Sequence, residues 1–177
     1  MHSIELLPDE ATERVVRRVW RSIADEGLPS QAGHRHPTNR PHLTLATADA
    51  LPPPTRGALA EALDVLLPLH LTGLLRFSGR NNVLAWAVRP DPALLALHER
   101  VWRILREADG DARSHPLLAP GRWVPHITLG RGRGAIWPGP DGRWLPPGAA
   151  AVAGRWAEAR TYDSTSRTTD RIGPDVR

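Results

Sequence analysis

Apolar residues recur along this chain with two alternating periods. At helical spacing, Val15, Val16, Val19, Trp20 and Ile23 form one stripe and predict a helix from about Asp9 to Glu26, stopped by Gly27. Leu59, Leu63, Leu66 and Leu67 predict a second helix over about Thr55–Leu67. A third starts with Asp91 as cap and Pro92 in the first turn, turns Leu94, Leu97, Val101, Leu105 and Ala108 inward, and stops at Gly110. Between the helices, period-two or β-branched segments predict strands at Ser3–Leu7, His42–Thr47, His70–Phe77, Val83–Arg89, Trp123–Gly130 and Ala151–Tyr162. Asn81-Asn82 suits the turn of a hairpin. The order β-α-β-α-β-β-α-β-loop-β mixes hairpins with helical crossovers, which places the fold in the α+β class. Segments 28–41 and 132–148 are rich in Pro, Gly and Arg and read as long loops, a type that often carries function. From Ser164 onward the residues are polar and turn-rich, so 164–177 is expected as a loosely held tail behind a single domain of 1–163.

The length of 177 residues suits one domain, or two small lobes sharing an interface. The N-terminal residues lack the basic start and apolar core of a signal peptide. The stretch Val65 to Leu75 is interrupted by Pro68 and His70 and falls short of the roughly 18 residues of a membrane span. The expectation is a cytoplasmic protein with no membrane partner, and a monomer is the simplest reading.

Composition narrows the chemistry further. All 23 basic residues are arginine, and the chain has no cysteine. Schiff-base chemistry, a phosphate-loop lysine, thiolate nucleophiles, Cys-ligated zinc and disulfides are therefore excluded. Histidine is left as the main acid–base group near neutral pH. The net charge of +4 leans toward an anionic partner. Most of the arginines read as compositional bias, but the planar guanidinium fork suits phosphate oxygens wherever one faces a site.

One six-residue pattern occurs twice. Pro41-His42-Leu43-Thr44-Leu45-Ala46 matches Pro125-His126-Ile127-Thr128-Leu129-Gly130 at its first, second, fourth and fifth positions, at a spacing of roughly half the chain, the mark of an internal duplication. On a strand, His42 and Thr44 share one face while Leu43 and Leu45 share the other; His126 and Thr128 divide from Ile127 and Leu129 in the same way. The apolar face can enter a core and the polar face can line a cleft. If the halves face each other, two imidazoles and two hydroxyls surround one point. In-line displacement at phosphorus needs a base on the entering oxygen and an acid on the leaving oxygen, and two imidazoles near pKa 6.5 can supply both. The threonines can donate hydrogen bonds to the non-bridging oxygens as charge builds there. This chemistry requires no metal and no cofactor.

The remaining histidines are weaker candidates. His70-Leu71-Thr72 is a third His-x-Thr without the preceding Pro or following Leu, and reads as an ordinary strand pair. His98 falls on the apolar stripe of the third helix as a satisfied core or boundary residue. His34 and His36 form His-x-His in a loop, and a metal-dependent phosphoesterase built on them is the weakest reading, since no accompanying carboxylate motif exists. His2 and His115 carry no signal.

The doubled segment resembles the two-histidine (2H) phosphoesterases, and within them the bacterial 2'-5' RNA ligase and RNA 2',3'-cyclic phosphodiesterase branch. Phe77, Gly79 and Val83-Leu84-Ala85-Trp86 add to the likeness, which spans about residues 3 to 163. The resemblance implies a bilobal fold of pseudo-twofold duplicated lobes, antiparallel sheet with flanking helices, and an active cleft between them. It implies an RNA end or cyclic nucleotide as partner, and hydrolysis of a 2',3'-cyclic phosphate to a 2'-phosphate. His126 would activate water and His42 protonate the departing ribose oxygen, with the roles reversed for 2'-5' ligation. By the same likeness Arg131 would join Thr44 and Thr128 in binding the phosphate. The chain departs from the family's pattern in the Pro/Gly-rich stretch after the second motif and in the basic loop carrying Arg35 and Arg40, which leaves the substrate open. Trp123, Trp144 and Tyr162 are candidate base-stacking platforms weighed against core roles. The competing class is a nucleotide- or RNA-binding module of the same fold without efficient turnover.

Overall fold

The computed structural model describes residues 1–109, 115–139, 143–145 and 152–173. Three helices, α1 (Glu10–Asp25), α2 (Pro53–Leu63) and α3 (Pro92–Asp109), alternate with seven strands. These are β1 (His2–Pro8), β2 (Leu43–Ala48), β3 (Pro68–Phe77), β4 (Asn82–Val88), β5 (His126–Gly132), β6 (Val152–Asp163) and β7 (Thr168–Ile172). No helix among the described residues is long and apolar enough to cross a membrane.

All pairings are antiparallel, in the order β2-β1-β6-β3-β4-β5, with β7 on β6. β6 is the spine. Its first residues, Val152 to Arg155, pair with β3, whereas Trp156 to Asp163 pair with β1. The sheet thus has two halves, β2-β1-β6-β7 and β6-β3-β4-β5, each ending in one His-x-Thr strand. In one half α1 connects the antiparallel neighbours β1 and β2; in the other α3 connects β4 and β5. The helices cross over: α1 packs on β5 and α3 on β2. The two end strands, farthest apart in the sheet order, meet.

Local chemistry explains the elements. Asp9 caps α1 by accepting from the Thr12 amide at 2.8 Å, and Val16, Val19, Trp20 and Ile23 are buried from its apolar stripe. Asp91 accepts from the Leu94 amide at 3.2 Å and caps α3. The strands turn alternate residues into the core, where Ile4, Leu6, Leu43, Leu45, Leu84, Trp86, Ile127 and Leu129 are all buried.

Two expectations are corrected. The second helix ends at Leu63, not Leu67, and Leu66 is 81% exposed. Pro68 biases the residue before it toward extended backbone, and Leu67 already lies outside the helix, its carbonyl taken by Trp156. The supposed tail is not loose over 168–172. Asp163 accepts from Thr165 N and Ser166 Oγ to form the turn, and β7 then pairs with β6. Alternation in Thr168–Ile172 is too polar to announce a strand, since only Ile172 is buried. Gly110, Ala151 and part of the 132–148 loop lie outside the described residues.

Candidate active site

The two motifs reach the cleft by the same local device. His42 Nδ1 lies 2.7 Å from the carbonyl oxygen of Arg40, and His126 Nδ1 lies 2.7 Å from that of Val124. Each carbonyl is two residues back, across a proline that biases the preceding residue toward extended backbone. A neutral ring that donates Nδ1–H to a carbonyl keeps Nε2 as its free nitrogen. The prolines of the motif thereby set the orientation of both imidazoles.

The threonines are anchored by indoles from the opposite half. Trp123 Nε1 donates to the Thr44 carbonyl and Trp20 Nε1 to the Thr128 carbonyl, both at 3.0 Å. These reciprocal bonds stitch the two end strands together behind the cleft. Trp123 also stacks flat on His98, with centroids 4.0 Å apart. His98 is itself buried, with Nε2 2.9 Å from the Leu118 carbonyl, and burial holds its pKa below the ordinary value. Trp144 is buried and donates to Glu26 at 2.9 Å. Trp123 and Trp144 are thus structural, while Tyr162 lines the cleft.

A cleft of about 670 Å³ lies between the halves. His42, Thr44, Thr128 and Arg131 all line it, with Ser3, Glu5, Thr47, Arg160 and Tyr162. His126 is not itself among the lining residues; it is half-buried, near enough to His42 to feel its charge, with its ring 4.8 Å from that of Phe77. Burial lowers the pKa of His126, and the nearby charge of His42 pushes it the same way; the Val124 carbonyl opposes both.

Simple alternation would turn Arg131, three residues past Thr128, to the other face. A bulge reverses this. On β4, Ala87, Ala85 and Val83 pair with His126, Thr128 and Arg131, so the register slips by one residue between Thr128 and Gly130. Cross-strand partners share a face, and Arg131 therefore joins His126 and Thr128. The other half repeats the slip: Glu5 pairs with Thr44 and Ser3 with Thr47, which brings Thr47 to the position that Arg131 holds opposite. No carboxylate among the described residues pairs with Arg131.

The other basic candidates divide. Arg40 is not free to steer a substrate: Glu13 and Glu158 hold its guanidinium at 2.8 and 3.3 Å. That grip fixes the residue whose carbonyl orients His42. Arg35 is exposed on the loop before β2. That loop closes one end of the cleft with Gln31, His34, His36, Thr38 and Asn39. His36 Nδ1 lies 2.8 Å from Thr38 Oγ1, and among the described residues no cluster of three or more His, Asp or Glu is placed to hold a metal. His70 is taken up by Arg89 at 2.8 Å, away from the cleft.

Glu5 and Arg160 are functional candidates that the sequence pattern does not single out. They are 155 positions apart, yet β1 and β6 pair them directly, and Arg160 Nε donates to Glu5 Oε2 at 2.8 Å. A charged residue amid Ile4, Leu6 and Leu7 is the only available signal for Glu5.

The family model of the 2'-5' RNA ligase superfamily matches residues 7–138, well over half of the chain. Comparison with curated proteins finds no match. Among solved structures, TT0787 of Thermus thermophilus shares the fold with a TM-score of 0.66 at 18% identity, covering 97% of this chain and 94% of that one. E. coli LigT complexed with NADP+ matches with a TM-score of 0.60 at 17% identity, over 97% and 92% of the two chains. E. coli LigT complexed with 3'-AMP gives 0.56 at 18%, over 97% and 92%. The match of the family model over most of the chain, taking in both Pro-His-x-Thr-Leu strands, makes the protein a member of the 2'-5' RNA ligase superfamily.

Proposed function

We propose that this protein hydrolyses 2',3'-cyclic phosphates, on RNA ends or nucleotides, to 2'-phosphates by paired histidine acid–base catalysis. The observation that carries this reading is the convergence of two His-x-Thr strands at one cleft, each imidazole tied through Nδ1 to a main-chain carbonyl. In this scheme neutral His126 takes a proton from water through Nε2 as the water oxygen bonds to phosphorus. His42 gives its proton to the ribose 3'-oxygen as the P–O3' bond breaks. Thr44, Thr128 and Arg131 donate to the non-bridging oxygens, where negative charge grows. The ring environments support the division of labour. Burial keeps His126 neutral to a lower pH than an ordinary imidazole. An imidazolium at His42 has the Glu5 carboxylate for company. With an RNA 5'-hydroxyl in place of water, the same displacement forms a 2'-5' linkage; since O3' still departs, the histidine roles are unchanged in that direction, and the reversal expected from the resemblance for ligation is corrected. The roles exchange when that linkage is opened again, by microscopic reversibility.

The test is turnover of adenosine 2',3'-cyclic phosphate in EDTA, with the product identified as the 2'- or 3'-phosphate. Wild type should yield the 2'-phosphate. His42→Ala and His126→Ala should each lose about 10²–10⁴ in kcat, the usual worth of one placed acid or base. Activity surviving in both variants would remove the assignment, and binding without turnover in wild type would make the protein a nucleotide-binding module. The acid limb of kcat/KM should fall below pH 6.5, because His126 must be neutral to act and its pKa lies below the ordinary value.

A further inference from the structure

Glu5 is a carboxylate with only 3% of its surface exposed, at the base of the cleft. Three groups hold it. Arg160, itself 5% exposed, donates through Nε to Oε2 at 2.8 Å, and Ser3 Oγ donates to Oε1 at 2.6 Å. The third is His42, whose Nε2 lies 3.7 Å from Oε1. That distance is too long for a hydrogen bond and short enough for strong attraction between a carboxylate and an imidazolium in a partly desolvated site.

The duplicated half supplies an internal control. In the register, Glu5 stands opposite Thr44 as Ala85 stands opposite Thr128, and Ser3 opposite Thr47 as Val83 opposite Arg131. The two halves therefore repeat the histidine, the threonine and the bulge, but among the described residues only the His42 half has a carboxylate close to its imidazole. Burying a carboxylate is costly unless it is paired, and Arg160 is the partner that offsets that cost. Other charged or titratable groups around the cleft are Arg131, His34, His36, Tyr162 and the Met1 amino group in its wall, with His126 near His42, and among the described residues none of these is a carboxylate.

We infer that Glu5 is a positioning residue of the proposed reaction: fixed by Arg160 and Ser3, its carboxylate orients and charge-stabilises the His42 imidazolium while leaving the Nε2 proton free for the departing oxygen. The role rests on the proposed hydrolysis, and it breaks the pseudo-symmetry of two otherwise equivalent histidines. It acts through His42 and does not touch the substrate.

The test is Glu5→Gln, which keeps the size of the side chain and an oxygen for Arg160 but removes the charge. Steady-state kinetics on adenosine 2',3'-cyclic phosphate should show kcat reduced about 10- to 100-fold with KM within about threefold, a fraction of the full worth of a general acid. The 3'-thio analogue, whose thiolate leaves with little need of a proton, should lose much less. Glu5→Asp, which retains the charge one methylene farther back, should recover part of kcat, and it carries the same measurement if Glu5→Gln does not fold. An unchanged kcat, or equal losses in kcat and in affinity, would overturn the positioning role while leaving the proposed hydrolysis intact. A wild-type protein inert toward the cyclic nucleotide would overturn both.

Discussion

The two halves of the sheet are built alike around their His-x-Thr strands and differ in what surrounds them. Both have a proline before the histidine, a carbonyl on Nδ1, an indole on the threonine carbonyl and a bulge just past the threonine. Around His42 the face is polar and cross-linked, with Ser3, Glu5, Thr47 and Arg160. Around His126 it is apolar, with Val83, Ala85, Ala87 and the ring of Phe77, and it ends in Arg131. In the proposed reaction this difference is what gives a duplicated site its direction. Surrounding charge and surrounding hydrocarbon bias identical side chains toward opposite protonation states, and the proposed acid and base roles rest on that bias.

This contrast can be broken at several points. Beyond the histidines and Glu5, the largest expected effect is at Arg131, the position whose counterpart is Thr47. Arg131→Ala should lower kcat/KM on the cyclic nucleotide about 10- to 100-fold, as expected for a charge-assisted contact. Thermal stability should be unchanged, because the guanidinium has no carboxylate partner among the described residues. If stability falls instead, Arg131 belongs to the fold.

Gly130 and Ala46 are also counterparts in the register, and at Gly130 a neighbouring segment occupies the space of the Cβ that Ala46 carries. A Cβ there would run into the Pro29 carbonyl, and Trp137 packs from the same side while donating to that carbonyl at 2.9 Å. Gly130→Ala should cost about 1–3 kcal/mol in denaturant unfolding, the usual range for overpacking. A neutral result would mean that the loop before β2 is free to move away.

The indole ties should be smaller and equal. Trp20→Phe and Trp123→Phe each remove one hydrogen bond to a threonine carbonyl, about 1 kcal/mol of stability by either route. Unequal losses would show that the stack of Trp123 on His98 matters more than the bond.

The smallest effect concerns acid. His98 and His126 both have pKa values held below 6.5 in the folded protein, mainly by burial. As pH falls below 6.5 the unfolded chain takes up protons that the folded one resists, so stability is lost toward the folded pKa values. The melting temperature should therefore drop as pH falls through 6.5 toward the folded pKa values, and His98→Gln should shrink the drop.

The motif histidines and threonines are legible in the sequence because strand alternation and a repeated proline are local facts. Helix α1 is legible for the same reason, its stripe and cap lying within one segment. The strand β7 is not, because Thr168–Ile172 has little apolar pattern and is held by pairing with β6. The long apolar run after Leu63 misleads in the other direction, since hydrophobic spacing continues where proline and exposure have already ended the helix.

The sequence by itself determined the chemistry on offer: no lysine, no cysteine, and two imidazoles each presented on one face of an apolar-backed strand. Only the tertiary structure decided how they differ. Which strand lies beside which, where the register slips, and that Glu5 meets Arg160 close to one imidazole are outcomes of pairing between distant segments. The physical reason is that periodicity sets which face a side chain occupies, whereas the field it feels comes from neighbours that the chain supplies from far away.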